Sequence, residues 1–282
     1  MQTPRHIQAF MRHAGSFPRF FPFCRESRNN KMSRTRLDMG PRITSFFQRC
    51  ADAQVDLIEW DHPLLARLNY PLVVDKDYTF LVPDHALPNA TAAATESGLP
   101  VADEGLRRGY SSEYCSNARR FLLGDAISEY HRPPVLVLAP LSWSGISTRD
   151  LGRLPPTAER YPTPVQGLSV YTASLPVACA ALVRILSSKS LAWEGRIRIE
   201  SDLRSLLGYN FFDMSKEYEI NYEVDANTMT PEDVEGLRAA VSTIKSWPYP
   251  AQDQWIKDAL EEMLTGEMTG NERPAERRGL RL

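Results

Sequence analysis

The chain is short of the residues from which metal sites and disulfide frameworks are built. Its 282 residues include four cysteines, at 24, 50, 115 and 179, and five histidines, at 6, 13, 62, 85 and 131. No two cysteines are close enough for a C-x-x-C clip, and a chain of this length needs no staples. They read as free thiols in a reducing compartment. The histidines form neither an H-x-x-x-H nor an H-E-x-x-H pattern, which argues against a structural zinc site. Long apolar runs are missing too. The longest, Leu175 to Leu186, is interrupted by Arg184 and is too short to span a bilayer. Ser142-Trp143-Ser144-Gly145 lacks the G-x-S-x-G nucleophile elbow. There is no internal repeat.

What is present describes an ordinary soluble globular protein, 43% hydrophobic and 24% charged, long enough for one large domain or two modest ones. The net charge of −2 hides an asymmetry. Met1 to Arg42 carries nine Arg or Lys against two acids, Glu26 and Asp38, a net +7. That leaves 24 basic against 33 acidic residues elsewhere, a net −9. An acidic body disfavours phosphate backbones, so general nucleic-acid binding is not expected. No membrane partner is expected either, and no other partner is indicated. The basic leader reads as a disordered arm on a cytoplasmic protein. A mitochondrial transit peptide is the alternative, weakened because Pro18 and Pro22 break any amphipathic helix.

The body alternates between helical and strand patterns. Ile43 to Ala53 places Ile43, Phe46, Phe47, Cys50 and Ala51 on one helical face. Asp61-His62-Pro63 opens a short helix through Leu68. Pro71–Val74 and Tyr78–Val82 read as buried strands, and a helix over Asn89–Ser97 stops at Gly98 and Pro100. Leu99 to Asn117 is polar and reads as loop. Arg120–Leu123 and Pro134–Ala139 are strand candidates, the second apolar on both faces. Ser142 to Pro164, with four prolines, reads as a linker or ordered excursion. Helices follow over Leu175–Leu186 and over Trp193–Leu207, the latter closed by Gly208. Glu217–Asp225 alternates as a strand would. Thr230-Pro231 starts a helix with the stripe Val234, Leu237, Val241 and Ile244, and a last helix runs over Ala251–Leu264.

Chemistry points to Asp75-Lys76-Asp77. Residues i and i+2 on a strand share a face, so two aspartates there could hold Mg²⁺ and align a nucleotide's phosphates. The competing reading is a solvated turn between two short strands, which Asp favours by bonding its own backbone. The turn reading is preferred, and it implies that replacing both aspartates by Asn changes stability only slightly.

The run WDHPLLARLNYPLVVDKDYTFLVPDHALPNATAAATESGLP, from Trp60 to Pro100, resembles a group of uncharacterised fungal proteins with a nucleotidyltransferase-like helix–strand–strand–helix core. The matching places are Trp60, Tyr70-Pro71, Phe80-Leu81-Val82-Pro83-Asp84 and Ser97-Gly98-Leu99-Pro100. LSVYTASLPVACAALVRIL, residues 168–186, is similar to that group's Leu-Pro-led buried helix. The resemblance covers roughly residues 55–207 and implies an α/β (α+β) fold: a mixed sheet flanked by helices, with a helical C-terminal region. The expected organisation is an arm over 1–41, the core over 42–150, a helical region over 151–265 packed on the core, and a disordered tail over 266–282. The resemblance also implies a cleft at Asp61, His62, Asp75, Asp77 and Thr79. Three departures speak against transfer activity. Asp61-His62 stand where active enzymes carry Gly-Gly or Gly-Ser, and an acid repels phosphate. No apolar spacer separates two carboxylates, because Thr79 replaces the second acid or Lys76 intervenes. Val135-Leu136-Val137-Leu138 lacks a third acid. The expectation is a catalytically degenerate protein with a binding or interaction role, no catalytic residues, no metal and no cofactor. The alternative is an active Mg²⁺-dependent nucleotidyltransferase using Asp75 and Asp77.

Overall fold

The computed structural model describes residues 40–70, 77–124, 132–154, 165–188, 190–212 and 231–265. These fall into two compact units, residues 37–206 and a second unit containing 207–282. The expected strands at Pro71–Val74 and Glu217–Asp225, the basic arm, the polar tail and Asp75 lie outside the described residues.

In the first unit α1, Pro41–Asp52, buries Ile43, Phe46, Phe47, Cys50 and Ala51, the five residues its periodicity predicts. The strands are β1 (Leu57–Glu59), β2 (Tyr78–Val82), β3 (Arg119–Leu122), β4 (Val135–Pro140), β5 (Leu151–Arg153) and β6 (Val170–Ala173). They form one mixed sheet in the order β3-β4-β2-β1-β6-β5. β1 runs antiparallel to β2, with Ile58 opposite Leu81 and Glu59 opposite Phe80, and parallel to β6. β4 lies parallel to β2 and antiparallel to β3. Every residue of β2 and β4 is buried, as near-continuous apolar runs with few polar interruptions require. The α/β reading of the fold therefore holds, with the mixed sheet flanked by helices.

Period two divides the sheet into its faces. Tyr78, Phe80 and Val82 of β2 meet Phe46 and Phe47 of α1 and the alanines of α3, Leu87–Glu96, in one apolar cluster. Phe47 stands edge-on to Tyr78 and Phe80, with ring centroids 5.8 and 5.9 Å away. α3 can lie close because it presents Ala90, Ala93 and Ala94. Gly98, at φ 74°, then takes the left-handed turn that stops it. Asp77, Thr79 and Leu81 belong to the opposite face, where Tyr110 packs on Val135 and Val137. Leu64 and Leu65 of α2 (His62–Arg67), Ala178 and Leu182 of α4 (Leu175–Leu186) and Asp202 of α5 (Trp193–Phe211) come together beside Trp60. α4 is buried from Ala178 to Leu186 except at Arg184, as its all-round apolar sequence demands.

One local expectation needs correction. Gly208 does not close α5, which runs on to Phe211; glycine lowers helix propensity without forcing a stop. Of the two readings of residues 142–164, the described part fits the ordered excursion, because Leu151–Arg153 pairs with β6 at the sheet edge. The loop over residues 99–117 is mostly irregular, and Tyr110, Ser111, Ser112 and Glu113 within it are buried.

The second unit pairs α6, Pro231–Ser246, with α7, Trp255–Thr265. α7 buries Ile256, Ala259, Leu260, Met263 and Leu264, while α6 buries only Ala240 and Ile244 of its face. Val234, Leu237 and Val241, expected in its core stripe, stay half-exposed. Trp247 stacks obliquely on Phe211 at 6.1 Å, and Lys245 pairs with Glu261 at 2.9 Å. No helix among the described residues is long and apolar enough to cross a membrane.

Candidate functional site

Four of the five expected site residues lie among the described residues of the first unit. The structure gathers them into two polar clusters rather than one open cleft.

The first cluster surrounds Asp77, immediately before β2. It is no solvated turn: only 4% of the residue is exposed. Arg132 Nη2 donates to its Oδ2 at 2.7 Å and Val135 N–H to its Oδ1 at 2.5 Å, and the Tyr110 hydroxyl donates to Oδ2 as well. The Arg132 guanidinium also lies 4.7 Å above the Tyr110 ring and 3.5 Å from Glu113 Oε1. Glu113 is buried and accepts from Tyr110 N–H at 2.8 Å, Arg120 Nε at 3.1 Å and Gly109 N–H. Two buried carboxylates thus face two guanidiniums, and the charges balance. The loop around Tyr110 folds inward because its polar groups find these partners.

The second cluster surrounds Asp61, between β1 and α2. Its backbone adopts φ 50°, ψ −135°, a conformation that favours glycine. Its side chain does not cap α2. It turns to the loop, where Ser112 Oγ donates at 2.5 Å, Ser112 N–H at 3.2 Å, and the Ser111 hydroxyl completes the set. Burial pushes the Asp61 carboxyl above its usual range, opposed by these serine hydrogen bonds and by Arg198. His62 starts α2, stands edge-on to Tyr110 at 4.6 Å, and meets Arg198 Nη2 through Nε2 at 2.9 Å. A guanidinium only donates, so His62 Nε2 is the acceptor in this contact. Arg198 Nε also lies 3.5 Å from Asp202 Oδ1. Burial raises the Asp202 carboxyl to about 7, against the pull of Arg198 and with a further push from Asp61.

Thr79 sits one β period after Asp77, fully buried, with its hydroxyl lacking a hydrogen-bond partner. Its carbonyl accepts Trp60 N–H at 3.1 Å and so ties β2 to the turn at Asp61. Sequence reasoning missed Tyr110, Glu113, Arg132, Arg198 and Asp202. The one available signal was Arg198 and Asp202 at helical i, i+4 spacing amid the apolar Ile199, Leu203 and Leu206. Among the described residues, no group of three His, Cys, Asp or Glu is placed to hold a metal.

No family model matches the chain, and no curated protein matches it. The crystal structure of JHP933 from Helicobacter pylori aligns with 82% of this chain and 92% of its own, at 12% identity and a TM-score of 0.32. A likeness at that level carries no argument about fold or function.

Proposed function

We propose that this chain is a nucleotidyltransferase-like protein without transfer activity, whose role is binding or interaction. The observation that carries the reading is the state of Asp77. On the nucleotidyltransferase-like reading this residue opens the strand that holds the metal ligands. Here its oxygens already accept from Arg132, Tyr110 and Val135 N–H. A guanidinium at 2.7 Å occupies the place of a cation and would have to leave before one could bind. Two further features support the reading. The order α2, β2, α3 agrees with the first helix, second strand and last helix of the helix–strand–strand–helix core that the resemblance implies. Asp61 holds a glycine-favouring backbone where active enzymes carry a small phosphate-cradling residue, yet it puts a carboxylate there.

The test is transfer of label from radiolabelled nucleoside triphosphates, with Mg²⁺ or Mn²⁺, to RNA, protein and small-molecule acceptors. No labelled product is expected. The melting temperature should also be indifferent to triphosphate plus Mg²⁺, whereas a ligand at a hundred times its dissociation constant would add about 2.7 kcal/mol. Transfer that disappears in Asp75→Asn, which leaves the Asp77 partners in place, would overturn the reading in favour of an active Mg²⁺-dependent enzyme.

A further inference from the structure

Asp61 and Asp202 line one small cavity together with Trp60, Leu64, Ala178 and Leu182. Its volume is on the order of 10 Å³, about enough for one water molecule. Each aspartate is only 5% exposed. Among the described residues, Arg198 is the cation that bears on both of them. His62 reaches Arg198 through Nε2, and Tyr70 and Tyr110 also act on Arg198. The α4 wall, Ala178 and Leu182, brings no titratable group. Two carboxylates with one guanidinium leave an uncompensated negative charge in a buried layer if both ionise. That charge is expensive to bury, and protonating one acid removes it.

The two aspartates are not equivalent. Asp61 accepts from two hydroxyls and a backbone N–H, all of which favour its ionised form. Asp202 has only Arg198, whose Nε approaches its Oδ1 at 3.5 Å. We infer that Asp202 is kept as the neutral acid beside an ionised Asp61, and that this proton is a pH-sensitive latch holding α5 to the β1–α2 turn. Raising the pH removes the proton and leaves two negative charges sharing Arg198. The contact between α5 and that turn then weakens. The direction of the Asp202 shift agrees, since burial raises its carboxyl far above the ordinary aspartate range.

The sign of the stability effect follows from linkage. The folded chain holds a proton that the unfolded chain releases once pH exceeds the usual aspartate value of about 3.9. Stability from this group is therefore greatest in acid. It falls as pH rises from about 4 to about 7 and is level above that. Across the window the unfolding equilibrium constant should rise about tenfold per pH unit from this group alone.

Infrared spectroscopy of the full chain reads the proton directly. The wild type at pH 6 should show the C=O stretching band of a protonated carboxylic acid, lost with a midpoint near neutrality and absent from Asp202→Asn. Denaturant titrations across the same range should show a downward slope in the wild type that Asp202→Asn lacks. Absence of the band from the wild type at pH 6, its persistence in Asp202→Asn, or parallel stability profiles would each overturn the latch. Should Asp202→Asn fail to fold, Asp61→Asn replaces it. With the neighbouring negative charge gone, Asp202 should lose its proton at lower pH, and an unmoved midpoint would overturn the latch equally.

Discussion

Asp77 and Asp202 are both buried aspartates in the same sheet-containing unit, each beside an arginine, and they are held in opposite ways. Asp77 accepts from a guanidinium, a phenol and a backbone N–H, within a cluster in which two acids meet two arginines. Asp202 shares one arginine, 3.5 Å away, with a second acid. Burial alone therefore does not fix what a carboxylate does. The number of donors aimed at it and the count of nearby cations decide whether it serves as a fixed anion or as a group that keeps its proton.

The largest effect should come from unbalancing the first cluster. Arg132→Met removes the cation shared by the buried Asp77 and Glu113, leaving Arg120 on Glu113. Breaking a buried pair in this way costs about 3–5 kcal/mol. Chemical denaturation at pH 7 checks this, and a loss below about 1 kcal/mol would show that water reaches Asp77 after all. The same logic reverses the sequence expectation for Asp77→Asn. An amide cannot replace a carboxylate that accepts three hydrogen bonds, so this change should cost about 2–3 kcal/mol instead of being nearly neutral.

Next in size is the pH response of the second cluster. Between pH 5 and 7 the wild type should lose about 1.4 kcal/mol per pH unit through Asp202, measured as the shift in denaturant midpoint. Asp77→Asn should leave that slope in place even though it lowers stability throughout. A common slope change in both variants would mean that the two clusters titrate as one.

These contrasts also mark what could be read from sequence. α1, β2, β4, α3 and α4 were legible because each is long enough to show a period or a sustained apolar run. β1 was not. Three residues cannot establish a period, and Glu59 places a charge in an interior strand, tolerated because Arg67 grips it with two hydrogen bonds at 2.6 and 2.9 Å. Asp61, His62 and Asp77 were singled out by position, and Asp77 was misjudged in environment. Its three donors come from residues 33, 55 and 58 positions further along the chain. Local sequence shows D-K-D, a turn-like string, and has no means of showing partners at that distance. Asp202 was missed for the same reason: an i, i+4 Arg–Asp pair is usually a solvated surface pair.

Asp61 sharpens the comparison from the backbone side. Its positive φ is an expense that glycine would not incur, and the three donors at its side chain offset it. Asp61→Gly should therefore be less destabilising than Asp61→Ala, by about 1 kcal/mol, although both lose the same hydrogen bonds. Equal losses in thermal denaturation would mean that the turn relaxes once the carboxylate is gone.

The smallest effect is expected where a charge pair is exposed. Arg49 of α1 and Glu96 of α3 form an ion pair whose side chains are 43% and 59% accessible. Water and salt compete for both partners, and holding two long side chains in one geometry costs rotamer freedom. A double-mutant cycle with Arg49→Ala and Glu96→Ala should give a coupling of about 0.5 kcal/mol or less, falling further at 1 M salt, where the screening length shrinks to about 3 Å. This pair is the control for the two buried clusters, because it supplies a guanidinium and a carboxylate in contact without burial. If its coupling approached the several kcal/mol expected at Arg132, exposure would not be what separates the sites. The contrast drawn between Asp77 and Asp202 would then need a cause other than buried charge balance.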